Sequence, residues 1–216
     1  MANAQTEQPA ADHPQIYLIT PPEFELSVFT PRLAACLDEV PVACLRLALS
    51  TSDEDRISRA ADACREVAHA RDVAIVIDSH VQMVERLGLD GVHLTDGSRS
   101  VRKTRKDLGA DAIVGAFCGT SRHDGMSAGE AGSDYVSFGP VTASALGDGS
   151  QADRELFAWW SEMIEVPVVA EGLREVADIA PLADVVDFFG LGDVVWEAED
   201  AAAQLRELAT AAGIPG

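Results

Sequence analysis

The chain has no C-x-x-C pair and no regular cysteine spacing. Cys36, Cys44, Cys64 and Cys118 stand far apart, which argues against a zinc knuckle or a thioredoxin-like redox motif and for reduced thiols. No segment approaches the roughly 20 apolar residues that a membrane-spanning helix needs. The polar start, Met1 to His13, lacks a basic region followed by an apolar run, so the expectation is a cytoplasmic protein with a disordered tail over 1–14. Positive charge is scarce: 16 Lys and Arg face 36 Asp and Glu, for a net charge of −20. Such a surface repels a phosphate backbone or an anionic membrane over about a Debye length, so neither nucleic acid nor membrane is expected as a partner. The same acidity keeps a solvated surface dispersed, and by itself it names no ligand. No G-x-G-x-x-G follows the first apolar run, which weakens a dinucleotide-binding reading. No lysine stands where a strand would end, which weakens a Schiff-base aldolase.

What is present is one repeated unit. Short runs rich in Val, Ile and Leu recur along 216 residues, each followed by a stretch with helical spacing, the pattern of a parallel sheet covered by helices. Strands are predicted over 16–20, 42–47, 73–77, 91–94, 112–116, 135–138, 166–170 and 185–190. Helices are predicted over 29–37, with Pro31 in the first turn, over 81–87, through the basic run 99–106, around Trp159 and Trp160, and over 197–211. A further helix, capped by Ser52 or Asp53, carries a buried stripe of Ile57, Ala60, Ala61, Cys64, Val67 and Ala68. Eight such units predict an α/β fold, a single (β/α)8 TIM barrel over 15–216, with an open doubly wound sheet as its competitor. Residues 139–150 form a long loop rich in Gly, Ala and Ser, of the kind that more often moves or closes on a ligand than packs.

A barrel places its active site at the carboxyl ends of its strands. That rule selects Thr20, Arg46, Asp78, Ser79, His80, Asp96, Cys118, Ser144, Glu171, Gly172, Gly190, Gly192 and Asp193. Each has a plain reading beside its chemical one. Arg46 binds an anion or pairs with Asp78 to hold the rim; His93 is a packed barrel histidine before it is a catalyst; His80 begins a helix; Asp193 caps one. Asp78, His80 and Asp96 have atoms suited to a divalent ion, and strand-end carboxylates are also often merely solvated.

The segments "LGLDGVHL", Leu87 to Leu94, and "GSDYVSFGPV", Gly132 to Val141, together with "YLIT", "CLRL", "IVIDSH", "VPVVAEGL" and "FFGLGDVV" in their order, resemble the thiamine-phosphate synthase family and its relative, the thiazole tautomerase. The likeness runs from about Ile16 to Trp196. It implies a TIM barrel that joins a hydroxymethylpyrimidine diphosphate to a thiazole phosphate and releases pyrophosphate, with magnesium as cofactor. Arg46 matches a cation of the family's second strand and is the implied catalytic residue. Arg46, Ser144, Gly172, Gly190 and Gly192 are the implied phosphate-binding residues, and Asp78 and Asp96 the implied magnesium ligands.

Several matching positions depart from the family pattern. Cys44 and Ala48 flank Arg46 where the family has glutamine and lysine, and Asp78-Ser79 replaces Asn-Asp. The family's next aspartate falls on Ser98, two residues beyond Asp96, and its serine after the fifth strand falls on Phe117. Ser144, Ala145, Leu146 and Gly147 stand for Thr-x-Thr-Lys, and Pro140 for the tautomerase's histidine. Two readings follow: a synthase-like enzyme with a degenerate active site, or a non-catalytic barrel that binds a small, cationic metabolite or a protein partner. Partners are otherwise a small phosphate or heterocyclic ligand and, because two-fold dimers are the commonest oligomers, a second copy as a homodimer.

Overall fold

The computed structural model describes residues 13–214. Its elements alternate along the chain: β1 Gln15–Ile19, α1 Leu26–Glu39, β2 Val42–Leu47, α2 Glu54–His69, β3 Ala74–Asp78, α3 Val81–Leu87, β4 Gly91–Leu94, α4 Val101–Leu108, β5 Ile113–Phe117, α5 Arg122–Ala131, β6 Tyr135–Phe138, α6 Arg154–Met163, β7 Val168–Glu171, β8 Phe188–Leu191, α7 Asp193–Trp196 and α8 Ala201–Ala211. All eight strand pairings are parallel and follow sequence order, and β1 closes on β8 through Gln15↔Phe188 to Leu18↔Leu191. The sheet is therefore a closed barrel, and the open doubly wound alternative is excluded. The tail expected over 1–14 lies outside the described residues except for His13 and Pro14.

Strand alternation builds two cores. Side chains at successive strand positions point to opposite faces, so in β2 Leu45 and Leu47 pack outward under the helices while Cys44 and Arg46 point into the barrel. The outer core is continuous and includes Phe157 and Trp160 of α6, with the Trp160 indole donating to Val166 O at 2.7 Å. The inner core is small: Tyr17, Cys44, Val76, Tyr135 and Val169. Its two rings fit because β5 presents Gly115, where an added Cβ would sit 2.0 Å from Tyr135 Cζ. At the opposite, amino-terminal end, the aspartates just before β4, β6 and β8 repeat one device. Asp90, Asp134 and Asp187 accept from the backbone N–H of Ile75, Val114 and Val168 at 2.7, 2.7 and 2.8 Å, fixing where neighbouring strands start.

Several expected boundaries shift. The first helix begins at Leu26, so Pro31 lies inside it instead of in its first turn. The carbonyl that Pro31 leaves without a partner belongs to Ser27, which is exposed, so water can serve it. Asp53, not Ser52, caps α2, accepting from Asp55 N and Arg56 N. No α-helix joins β7 to β8. Two 3-10 turns, Val176–Asp178 and Ala180–Leu182, make that crossover, and β8 starts at Phe188, three residues later than expected. The closing helix expected over 197–211 begins four residues later, at Ala201, where Asp200 accepts from Ala203 N, and the short α7 precedes it as a separate turn. Among the described residues no helix is long and apolar enough to cross a membrane, and the four cysteines are buried free thiols.

Candidate active site at the barrel mouth

Arg46 stands at the centre of the mouth, with 6% of its surface exposed. Its position follows from β2, where the inward face that buries Cys44 carries Arg46 one step nearer the carboxyl end. Asp78 follows Val76 on the inward face of β3, and Glu171 follows Val169 on that of β7. The three converge. Arg46 Nε donates to Asp78 Oδ1 at 2.5 Å and Nη2 to Oδ2 at 3.0 Å, a bidentate fork. Nη1 donates to Glu171 Oε1 and Oε2 at 3.0 and 2.9 Å. The anion-binding and rim-pairing readings of Arg46 are thus separated: in this structure Arg46 is paired, and with a second carboxylate as well as the first. Burial alone would oppose the charge, but Glu171 and then Asp78 hold the guanidinium well above its ordinary range.

The strand-to-helix turn after β3 aims Asp78 inward. Ser79 takes φ +55°, an uncommon conformation for a residue with a side chain. Ser79 N donates to His93 O at 2.9 Å, and its hydroxyl lies 3.0 Å from that of Thr95. His80 caps the start of α3 and turns its backbone N–H and its ring Nδ1 onto Asp78 O. His80 therefore begins a helix, as its plain reading held, and is occupied locally.

Beneath the ion pairs lies a buried polar chain. His93, fully buried on β4, has Nδ1 2.9 Å from the Tyr135 hydroxyl, which lies 2.6 Å from that of Tyr17. Burial, and then the charge of Arg46, push the His93 imidazole well below its ordinary pKa, so the ring is neutral at pH 7. Its Nε2 is 3.8 Å from Glu171 Oε1 and has no hydrogen-bond partner. A neutral ring carries one N–H. Tyr135 donating to Nδ1 puts that hydrogen on Nε2, facing the carboxylate; the other tautomer would face Glu171 with a lone pair.

The buried neutral ring gives a pH dependence with a definite sign. Below about pH 6.5 the unfolded chain takes a proton at this histidine that the folded chain refuses. Stability from His93 is therefore full above that pH and is lost as the pH falls, by at most about 1.4 kcal/mol per unit. Urea unfolding at pH 7.5 and 5.0 should show a steeper loss for the wild type than for His93→Asn; equal losses would contradict a neutral, buried ring.

The other expected site residues are distributed around the mouth. Asp96 is exposed and accepts from the Ser100 hydroxyl at 2.6 Å. It lines a groove of about 740 Å³ between α3 and α4 with Ser79, His80, Arg86 and Lys103, and Asp78 is not part of that lining. Asp78 gives both oxygens to Arg46, so the structure does not assemble the expected magnesium pair. Among the described residues no three His, Cys, Asp or Glu side chains are grouped to hold a metal ion. Gly190 lies against Glu171: a Cβ there would be 2.9 Å from Glu171 Cγ. Gly172, at φ +79°, leaves room for Pro140, and its carbonyl accepts from Thr142 Oγ1 and N. Those bonds, with Val141 N to Glu171 O and Ala152 N to Pro140 O, tie down the stem of the 139–150 loop. Ser144, farther along it, accepts from Leu146 N. Gly192 precedes α7, and a Cβ there would rest in ordinary contact with Ile19, 3.6 Å from its Cβ.

The family model described as thiamine monophosphate synthase matches residues 16–191, β1 through β8. The chain belongs to that family. A thiamine-phosphate synthase of Rhodospirillum centenum is 42% identical over 185 residues, covering 84% of this chain and 89% of the relative. One of Erythrobacter litoralis is 35% identical over 206 residues, covering 93% and 94%. In three dimensions the thiamine phosphate pyrophosphorylase of Pyrococcus furiosus superposes with a TM-score of 0.80 at 20% identity, over 92% of this chain and 95% of that one, which supports the fold. Thiamine-phosphate synthases are magnesium-dependent in general. The residues carried over as ligands do not form a ready site here, because a metal at Asp78 would have to displace Arg46.

Sequence reasoning picked out Glu171 as a carboxylate beside the mouth but missed it as the partner of Arg46, and it passed over Tyr17 and Tyr135. The signal for all three was alternation: each is on the inward face of its strand, level with or one step from an inner-core residue.

Proposed function

We propose that this chain is a thiamine-phosphate synthase that couples a hydroxymethylpyrimidine diphosphate to a thiazole phosphate and releases pyrophosphate. The single observation that carries the reading is the near full-length similarity to proteins of that name, 42% identical over 84% of this chain. The mouth supplies chemistry that suits it. A buried guanidinium at the centre of a barrel mouth is a strong partner for a departing diphosphate, since charge interactions gain weight where water is excluded. In this proposal Arg46 binds the diphosphate, the backbone at Gly172, Gly190 and Gly192 approaches phosphate, and Ser144 contributes a hydroxyl from the loop. No step is assigned to magnesium at Asp78 and Asp96.

One observation favours a second reading, a barrel without this activity that takes a small cationic metabolite. With His93 neutral, Arg46, Asp78 and Glu171 carry one more negative than positive charge, which disfavours a polyanion as the site stands. Purified protein with both substrates and magnesium decides between them. Product above the uncatalysed rate, abolished in Arg46→Ala, supports the synthase. No product from the wild type, together with calorimetric binding of thiamine, supports the second reading.

A further inference from the structure

Arg46 at a mouth that takes an anion would be expected to present an open fork. Its fork is closed by the protein itself: Nη1, the donor opposite the Asp78 pair, is taken by both oxygens of Glu171, whose side chain is 3% exposed. A carboxylate buried this deeply leaves a cation only if another donor receives it. One is in place. His93 Nε2 is fully buried, has no partner and lies 3.8 Å from Glu171 Oε1, about 1 Å beyond a hydrogen bond. Of the two His93 tautomers, the one in which the Tyr135 hydroxyl donates to Nδ1 turns the Nε2 hydrogen toward that carboxylate, and the exchange requires that one. Gly190 provides the space: Glu171 Cγ sits where a side chain on β8 would otherwise be.

We infer that Glu171 is a two-position carboxylate that occupies the substrate anion's place on Arg46 in the empty protein and moves onto His93 Nε2 when an anion binds, so that it sets how tightly the mouth takes phosphate. The exchange keeps every buried charge partnered. Arg46 trades one anion for another, Glu171 trades Nη1 for the imidazole N–H, and Asp78 keeps its fork. Glu171 is thus a specificity-determining residue: an incoming anion must compete with it, and a neutral or cationic ligand gains nothing by displacing it. The inference rests on Arg46 being the anion-binding group of the proposed synthase.

The test is binding of inorganic pyrophosphate, by calorimetry, to the full-length wild type and to Glu171→Gln, with the His93 ring signals followed by nitrogen-15 NMR. The glutamine has the same shape and can still accept from Arg46 without competing as a charge, so pyrophosphate should bind at least about tenfold more tightly than to the wild type. In the wild type, saturating pyrophosphate should move the Nε2–H proton downfield as it gains a charged acceptor. Affinities within twofold of each other, an Nε2–H signal unchanged at saturation, or no binding to either protein would each overturn the inference. Should the glutamine variant not fold, the wild-type signal alone decides. A wild type that makes no thiamine phosphate, while Glu171→Gln still tightens on pyrophosphate, would sink the synthase reading and leave the exchange standing.

Discussion

Arg46→Met should destabilise the protein by about 3–5 kcal/mol and abolish any thiamine phosphate formation, the loss seen when one partner of a buried ion pair is removed and the other is left behind. Here two carboxylates are left behind. Asp78 loses the donors to both oxygens, and Glu171, 3% exposed, has only the distant His93 Nε2 to turn to. A folded domain has about 5–15 kcal/mol in total, so the variant should unfold at markedly lower urea. The cause is tested by neutralising the whole group. The triple change Arg46→Met, Asp78→Asn, Glu171→Gln removes the uncompensated charges and should recover at least half of the lost stability, without activity. If the triple variant were as unstable as the single one, packing of the arginine stem and not charge would be the explanation.

Gly115→Ala should be a severely damaging single-methyl change, destabilising by about 3 kcal/mol or more. The added carbon would lie 2.0 Å from Tyr135 Cζ and 2.3 Å from its hydroxyl, distances at which something must move. Overpacking a core by a methyl group typically costs about 1–3 kcal/mol. The Tyr135 ring is also not free to yield, because its hydroxyl is held between Tyr17 and His93 and is buried with them. Displacing it breaks that chain as well. In a Tyr135→Leu background the obstructing atoms are gone, so the same Gly115→Ala change should cost far less, and a double-mutant cycle in urea would show a coupling above about 1 kcal/mol. Additive effects would mean that β5 moves as a backbone and the ring is not the obstacle.

The barrel was legible because its signal is written eight times. Each apolar run appeared within three residues of its place, since buried parallel strands require continuous Val, Ile and Leu regardless of what surrounds them. The seventh crossover was less legible: no helix was read between the seventh and eighth strands, and two short 3-10 turns make the connection there. Pro31 misled the start of α1, because a proline inside a helix is tolerated where the orphaned carbonyl faces water, a fact about exposure that spacing does not carry. For the site, alternation brought Arg46, Asp78 and Glu171 to the right ends of the right strands. What it could not give was their meeting, which depends on β2, β3 and β7 projecting side chains across the barrel from opposite sides. Asp78 and Asp96 illustrate the limit. They are close in sequence and both follow strands, yet one points to the barrel axis and the other to a groove outside it.

Proteins whose binding sites hold an unbalanced cation until substrate arrives gain stability with every rise in substrate concentration, and their abundance in the cell follows supply. With Arg46 already paired from within, this barrel gains from a ligand only through the affinity left after Glu171 has been displaced, so its response to supply should be smaller, and a screen that looks for ligands by their effect on melting temperature will register only the difference between the newcomer and Glu171.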